Sequence, residues 1–70
     1  MTLREIGAFI QTRRQMLQLK QEDLAEMSGI TSRTIYKIEK GGANPSIETL
    51  QKITEVLGLE ISLNVKHRDQ

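Results

Sequence analysis

One short stretch, residues 31–40, carries side chains that could form hydrogen bonds with nucleic-acid bases. Its apolar positions, Ile35 and Ile38, define the inward face of a predicted helix. The outward positions of that helix are polar or cationic: Ser32, Arg33, Tyr36 and Lys37. Arg33 lies about one turn from the helix start and could bond bidentately to guanine O6 and N7 in a DNA major groove. Lys37 lies on the same face, one turn further along.

Groups suited to phosphate surround this outward face. Thr31 lies at the predicted start of the helix, where free backbone amides and the helix dipole favour an anion. Lys40 and Asn44 follow at the end of the helix, and Gln21 begins the preceding helix, where its side chain and amide could hold another phosphate. This arrangement predicts a DNA-binding surface. The competing interpretation is the solvated polar face of an ordinary all-α protein.

A first helix should support this surface. Thr2 is its predicted N-cap, because a threonine hydroxyl can accept from the free amides of the first turn. The apolar positions that recur at helical spacing are Leu3, Ile6, Ile10 and Leu17, and we expect the flanking Phe9 and Met16 to join the core. Arg14 falls on the same stripe, where a guanidinium needs an anion or a route to water.

Two short helices joined by a tight turn follow. The first runs over residues 21–27, and its expected inward residues are Leu24, Ala25 and Met27. Ser28 and Gly29 form the turn, Ile30 is expected to be buried, and Thr31 is expected to cap a helix from Ser32 to about Lys40. Two helices that cross through a three- to four-residue turn containing glycine form a helix-turn-helix. Ala25 and Gly29 are expected to permit the close crossing.

The chain then changes its periodicity. Ser46 should cap a fourth helix that ends at Gly58, with an inward set of Ile47, Leu50, Ile53, Val56 and Leu57. Over residues 59–66 apolar and polar residues alternate, which predicts a strand. The apolar positions of this strand are Leu59, Ile61, Leu63 and Val65. Because the chain has no other strand pattern, we expect the same strand of a second copy to pair with it, antiparallel, about a two-fold axis.

Composition narrows the possible functions. A chain of 70 residues makes one small domain, which usually needs a disulfide, a metal or oligomerisation to be stable. Cysteine is absent and His67 is the one histidine, so disulfides and thiolate metal sites are excluded and dimerisation is the expected stabiliser. No catalytic set of side chains, phosphate loop, signal peptide or membrane-length apolar run is present. We therefore expect no enzyme, no cofactor and no bound metal.

Net charge is only +1, but charge is segregated along the chain. Residues 1–20 and 31–45 are net basic, whereas residues 21–30 carry three acidic side chains and no cation. One face of the molecule can therefore be basic although the whole is nearly neutral.

Several short motifs together resemble the lambda-repressor-like (Cro and XRE) helix-turn-helix family over roughly residues 3–58. They are Gln21-Glu22-Asp23-Leu24-Ala25, Gly29-Ile30-Thr31, Thr34-Ile35, Ile38-Glu39, Gly41, Asn44-Pro45 and Leu50. The resemblance implies an all-α fold: four helices in a DNA-binding domain of residues 1–58. Residues 59–70 then form a C-terminal β-strand that pairs across a dimer, and a polar tail. The strand replaces the family's usual fifth helix.

The resemblance also implies roles for individual residues. Base-reading positions correspond to Ser32, Arg33 and Lys37, and Tyr36 occupies a variable position that could touch a thymine methyl or a phosphate. Backbone-contacting positions correspond to Gln21, Thr31, Thr34, Lys40 and Asn44. Lys20 replaces the family's usual capping residue, so the second helix should be less well capped, although Lys20 could add a phosphate contact. Similar proteins pair Arg14 with Glu39, and we expect a partly buried ion pair that orients the third helix; two separate side chains are the alternative.

Our functional prediction is a cytoplasmic, homodimeric repressor on a palindromic DNA operator. The strand after the fourth helix resembles the HipB-like branch of the family, whose members are antitoxins that repress their own operon and bind a kinase-type toxin. The alternatives are a stand-alone regulator from a phage or a restriction–modification system, and a protein-interaction module in which DNA binding is secondary.

Overall fold

The computed structural model describes residues 1–67, which form four helices. They are α1 (Leu3–Met16), α2 (Gln21–Ser28), α3 (Ser32–Glu39) and α4 (Ile47–Leu57). Within residues 1–67 of this single copy no strand is formed, and residues 59–67 are irregular. A strand needs a partner edge for its backbone groups, and one copy offers none. The strand predicted over residues 59–66 therefore stays a prediction, and residues 68–70 of the predicted polar tail lie outside the described residues.

The start of α1 is closed by a reciprocal pair of hydrogen bonds. Thr2 Oγ1 accepts from the Glu5 amide at 3.1 Å, and the Glu5 carboxylate accepts from the Thr2 amide at 2.8 Å. The backbone hydrogen bond from Thr2, assisted by the Thr2 hydroxyl and the N-terminal charge, lowers the pKa of Glu5 below its ordinary value. The predicted N-cap is thus present.

The start of α2 has no side-chain cap, as predicted from Lys20. The Asp23 carboxylate accepts from the Lys20 amide at 2.8 Å, so an acidic residue of the first turn replaces part of the missing cap. At its other end, α2 is terminated by Gly29 in the left-handed conformation, with φ of +78°.

Hydroxyl caps begin the last two helices, and both were predicted. Thr31 Oγ1 accepts from the Thr34 amide at 3.2 Å, and Ser46 Oγ accepts from the Thr49 amide at 3.1 Å. Gly58 ends α4 with φ of +70°.

Six side chains form the buried core, and every helix contributes. They are Ile10 of α1, Leu24 of α2, Ile35 and Ile38 of α3, and Ile53 and Leu57 of α4. Half-buried residues pack around them, among them Ile6, Ala25, Ile30, Leu50, Val56 and Leu59. Ile30 is therefore only half-buried, where full burial was expected. Because both isoleucines of α3 are buried, the opposite face of that helix must point to solvent.

Four apolar residues predicted to point inward are instead exposed. They are Phe9 (58% exposed), Met16 (68%), Met27 (59%) and Ile47 (59%). Leu3 and Leu17, also assigned to the stripe of α1, are 39% and 41% exposed. The inward assignment of these residues is wrong, because helical spacing does not specify how much of each helix the other helices cover, and the buried core consists of only six side chains. Phe9 lines an open groove between α1 and α4 rather than the core.

The close approach of helices occurs at a glycine that was not predicted to mediate it. A Cβ added at Gly7 in α1 would overlap the carbonyl oxygen of Ile38, so α1 packs directly on the backbone of α3. By contrast, no atom lies within 4 Å of a Cβ placed on Gly29. Gly29 therefore serves the turn through its positive φ, and the expectation that it permits the helix crossing is wrong.

Candidate nucleic-acid interface

The outward face of α3 is a continuous exposed surface. All four residues predicted to face outward are exposed, namely Ser32, Arg33, Tyr36 and Lys37. Ile35 and Ile38, on the opposite face, are 0% and 2% exposed and hold the helix against the core. Two cations on successive turns are thereby presented to solvent on a rigid element.

The beginning of α3 uses its hydroxyl groups internally. The Thr31 hydroxyl accepts from the Thr34 amide and donates to Thr34 Oγ1 at 3.0 Å. Thr31 is exposed and Thr34 is half-buried. Both side chains predicted to contact a nucleic-acid backbone therefore serve first to fix the helix start.

The end of α3 carries a third cation next to an aromatic ring. Lys40 is the C-cap, and its Nζ lies 5.6 Å from the centroid of the Tyr36 ring, within the range of a cation–π contact. The chain then turns at Gly41, with φ of +77°, and leads to the exposed Asn44. Lys40 and Asn44 thus lie close in sequence at one end of the cationic face.

A buried ion pair joins the far end of α3 to α1. Arg14 Nε lies 2.7 Å from Glu39 Oε2, and a second bond of 3.1 Å joins the Arg14 guanidinium to Glu39 Oε1. The two residues are only 7% and 5% exposed, so the pair predicted as partly buried is almost completely shielded from water. In the described residues no buried side-chain polar atom lacks a hydrogen-bond partner. This bidentate geometry is the strong form of an arginine–carboxylate interaction.

The ion pair is extended by two further bonds that sequence reasoning missed. Arg14 also donates to the carbonyl oxygen of Leu19 at 2.6 Å, and Gln21 Nε2 donates to Glu39 Oε1 at 2.9 Å. The chain reaches this position because Gln18 takes a left-handed φ of +59°, which reverses its direction after α1. One carboxylate thereby connects the end of α1 and the start of α2 to the end of α3.

The side chain of Gln21 is therefore partly committed within the protein. One N–H of its side-chain amide is bonded to Glu39, which leaves the other N–H, the side-chain oxygen and the backbone amide for an external partner. Lys20, immediately before it, is exposed. A carboxylate oxygen can accept from more than one donor, so Glu39 accepts from Gln21 as well as from Arg14, and no spacing in the sequence indicates this second partner.

A second arginine has a structural role that was also missed. Arg13 Nε donates to the carbonyl oxygen of Leu57 at 2.8 Å, which fastens the last turn of α4 to α1. A cation at the C-terminus of a helix is favoured by the helix dipole. The direction in which the chain leaves α4 is thus fixed from α1.

The described residues hold neither a metal-binding cluster nor a membrane-spanning helix. Among residues 1–67, no group of three or more His, Cys, Asp or Glu side chains is placed to hold a metal ion. In that part of the chain, no helix combines the length and apolar character needed to cross a membrane.

Comparison with known proteins assigns this arrangement to a family. The helix-turn-helix family model matches residues 10–64. An uncharacterized HTH-type transcriptional regulator of Haemophilus influenzae is 42% identical over 52 residues, which are 74% of this chain and 53% of that protein. The HTH-type transcriptional regulator PuuR of Escherichia coli is 45% identical over 49 residues, or 70% of this chain and 26% of PuuR. The chain thus spans about half, or less, of the length of these relatives.

A solved structure shares the fold over most of both chains. It is the restriction–modification controller protein C.AhdI of Aeromonas hydrophila, with a TM-score of 0.80 and 29% identity. The superposition covers 83% of this chain and 88% of that one. Because the family model matches residues 10–64, which is more than half of the chain, this chain belongs to the Cro/XRE-type helix-turn-helix family.

Proposed function

We propose that this chain is a transcriptional repressor that binds double-stranded DNA sequence-specifically as a homodimer. The observation that carries the proposal is the face of α3, where Arg33 and Lys37 are exposed while Ile35 and Ile38 on the reverse are buried. A major groove about 12 Å wide admits one α-helix and displays a distinct donor and acceptor pattern for each base pair. An exposed, rigid, cationic helix is the element that such a groove accepts.

In the proposed complex, α3 lies in the major groove and α2 crosses the sugar–phosphate backbone. The base-reading residues are Ser32, Arg33 and Lys37, with Tyr36 at a thymine methyl or a phosphate. Phosphate contacts come from Lys20, Gln21, Thr31, Thr34, Lys40 and Asn44. For Gln21 the donors are the backbone amide and the second side-chain N–H, because the first side-chain N–H is bonded to Glu39. Phosphate contacts fix the register of the protein on DNA, and base contacts supply specificity.

The Arg14–Glu39 pair gives this arrangement its geometry. It ties the last turn of α3 to α1, and Gln21 ties the start of α2 to the same carboxylate. The angle between α3, in the groove, and α2, on the sugar–phosphate backbone, therefore depends on the buried carboxylate of Glu39. We propose that this network orients α3 on DNA.

Two copies would place two α3 helices in successive major grooves, about 34 Å apart, on a palindromic site. The C-terminal segment supports a homodimer, because Leu63 and Val65 are each 97% exposed in the single copy. In the proposed dimer, residues 59–66 of the second copy would cover part of these side chains. The interface residues would be Leu59, Ile61, Leu63 and Val65.

The likeness to C.AhdI favours a small stand-alone regulator of the restriction–modification type. An antitoxin of the HipB type, with a kinase-type toxin as partner, is the second candidate, and its support is the alternating segment 59–66. The gene beside this one discriminates the two: a kinase-like neighbour supports the antitoxin, and a restriction endonuclease or methyltransferase supports the controller. A protein-interaction module without DNA binding would have no need of the exposed cations of α3.

Salt-dependent binding tests the proposal. Fluorescence anisotropy with a labelled random-sequence duplex should show a binding constant that falls steeply with salt, because each neutralised phosphate releases counterions. A variant with Arg33→Gln and Lys37→Gln should bind more weakly than the wild type.

The matched control is Lys52→Gln, an exposed lysine of α4 beside Met27 and Glu55, away from α3. It removes a charge of the same sign and should leave affinity nearly unchanged. Equal weakening by the control variant, or wild-type affinity that is independent of salt, would refute the assignment of DNA binding to α3.

A further inference from the structure

The side chain of Arg4 has no partner within the part of the chain that the structure describes. It belongs to the first turn of α1 and is exposed. Within residues 1–67, Arg4 forms neither an ion pair nor a side-chain hydrogen bond. The other two arginines of α1 differ from it, because Arg13 is bonded to the Leu57 carbonyl and Arg14 to the Glu39 carboxylate. Arg4 is therefore the arginine of α1 that remains available to an external anion.

The position of Arg4 is also unfavourable for the helix that carries it. The first turn of a helix lies at the positive end of the helix dipole, where an anion is stabilising and a cation is not. Glu5 follows this rule, since its carboxylate accepts from the Thr2 amide at 2.8 Å and is held at the cap. Neither the dipole nor an internal partner therefore accounts for an arginine at position 4.

The backbone of Arg4 lies directly against the loop that follows α3. A Cβ built on Gly41 would lie 2.8 Å from the Cα of Arg4 and 3.1 Å from its Cβ, so no side chain separates the two segments. One turn further along α1, Gly7 packs in the same way on the carbonyl groups of Ile38 and Glu39. Two close contacts at glycine thus fix the start of α1 against the end of α3.

This packing places Arg4 next to residues that are proposed to contact DNA phosphates. Lys40, the C-cap of α3, immediately precedes Gly41, and Asn44 follows three residues later. Both side chains are exposed, as is that of Arg4. Because one strand of DNA presents a phosphate about every 3.4 Å along the helix axis, a second cation beside Lys40 would meet a neighbouring phosphate.

We infer that Arg4 is a further phosphate-binding residue, which extends the DNA contact of α3 and its following loop onto the start of α1. The planar guanidinium matches the geometry of a phosphate and keeps its charge at any ordinary pH. An arginine that opposes the dipole of α1 in the free protein gains a favourable partner when DNA is bound. This inference rests on the proposed DNA binding and adds to it a residue outside the helix-turn-helix.

Arg4→Gln tests the inference, because glutamine has nearly the helix propensity of arginine but no charge. Fluorescence anisotropy with a labelled random-sequence duplex should show the slope of log K against log salt reduced by roughly 0.9. Arg4→Lys, which keeps the charge, should retain the wild-type slope. The Tm of Arg4→Gln, followed by circular dichroism, should equal or exceed that of the wild type, because a cation is removed from the positive end of the dipole.

The matched control is Lys52→Gln, which removes an exposed cation of α4 and should leave the salt slope unchanged. A wild-type slope for Arg4→Gln, an equal loss in Arg4→Lys or in the control, or weaker binding accompanied by a lower Tm would overturn the inference. Binding that depends on Arg33 and Lys37 but not on Arg4 would leave the proposed function intact. Failure of the wild type to bind DNA would contradict both.

Discussion

Among the single residues, four cationic side chains form two groups with different roles. Arg13 and Arg14 are used inside the protein, on the Leu57 carbonyl and the Glu39 carboxylate. Arg33 and Lys37 are exposed on α3, where the described residues 1–67 offer them no hydrogen bond or ion pair. A side chain that is already ordered within the protein contributes to its architecture, and one that is exposed on a rigid helix can contribute to recognition.

Replacing Arg33 by alanine should relax base preference at one position of the binding site. A bidentate contact to guanine discriminates against other bases by about 1–3 kcal/mol, and that discrimination is lost with the guanidinium. Competition binding with duplexes substituted at each position would measure it. Equal loss of affinity on every sequence would show that Arg33 contacts phosphate and reads no base.

Replacing Lys40 by alanine should weaken binding to all sequences alike. Loss of one phosphate contact reduces the slope of log K against log salt by roughly 0.9. Lys52→Ala, which removes an exposed lysine of α4 away from α3, serves as the control and should leave the salt slope unchanged. An unchanged salt slope for Lys40→Ala would remove this lysine from the set of phosphate contacts.

At the scale of elements, the decisive feature is the network around Glu39. It connects the end of α1, the start of α2 and the end of α3, and its Arg14–Glu39 pair is almost completely shielded from water. A buried ion pair is not by itself a large source of stability, because desolvation opposes the attraction between the charges. Removal of one partner nevertheless lowers the stability of the fold, because the other charge stays buried without a partner.

Replacing Arg14 by alanine should lower the free energy of unfolding by about 3–5 kcal/mol, since Glu39 would lose its cation. Replacing Gln21 by alanine should cost only about 1 kcal/mol, the value of a typical hydrogen bond, because Arg14 would still satisfy the carboxylate. Urea denaturation followed by circular dichroism would measure both. Equal effects of the two variants would contradict the view that the ion pair dominates the network.

Local chemistry in the sequence was sufficient to predict the helices and their boundaries. Threonine and serine caps at Thr2, Thr31 and Ser46, and glycine at Gly58, act within a turn of the helix ends. The outward face of α3 was predicted for the same reason, because helical spacing alone separates it from Ile35. What could not be predicted depends on distant elements: the exposure of Phe9 reflects how little of α1 the other helices cover.

The site shows the same division between local and distant information. The partnership of Arg14 with Glu39 was predicted through resemblance to similar proteins, since two polar residues on apolar stripes do not specify each other. The bond from Gln21 to Glu39 and the contact of Gly7 with the Ile38 backbone were not predicted. Each depends on how two helices are placed in three dimensions, which the spacing within one helix does not determine.

For the whole molecule, the most exposed apolar side chains of one copy lie in its C-terminal segment, residues 59–67. Residues 59–67 leave the helical body with Leu63 and Val65 almost fully exposed, in a domain too small to be strongly stable alone. Arg13 fixes the last turn of α4, so the segment leaves from a defined position. A homodimer formed through this segment would cover the exposed side chains and set the distance between the two α3 helices.

Truncation after Gly58 should therefore yield a folded monomer. The six core residues all precede the cut, so the helices should remain, while the proposed interface is lost. Sedimentation velocity would report the mass, and circular dichroism would report the helix content. A truncated chain that sediments as a dimer would place the interface on the helices.

In the proposed complex, two copies of this chain read a symmetric DNA site with their α3 helices. Selection of bound duplexes from a fully randomised pool tests it most directly. We expect enrichment of an inverted repeat whose half-site centres lie about one helical turn, or 10 base pairs, apart. Enrichment of a single half-site or of a direct repeat, or no enrichment at all, would contradict it.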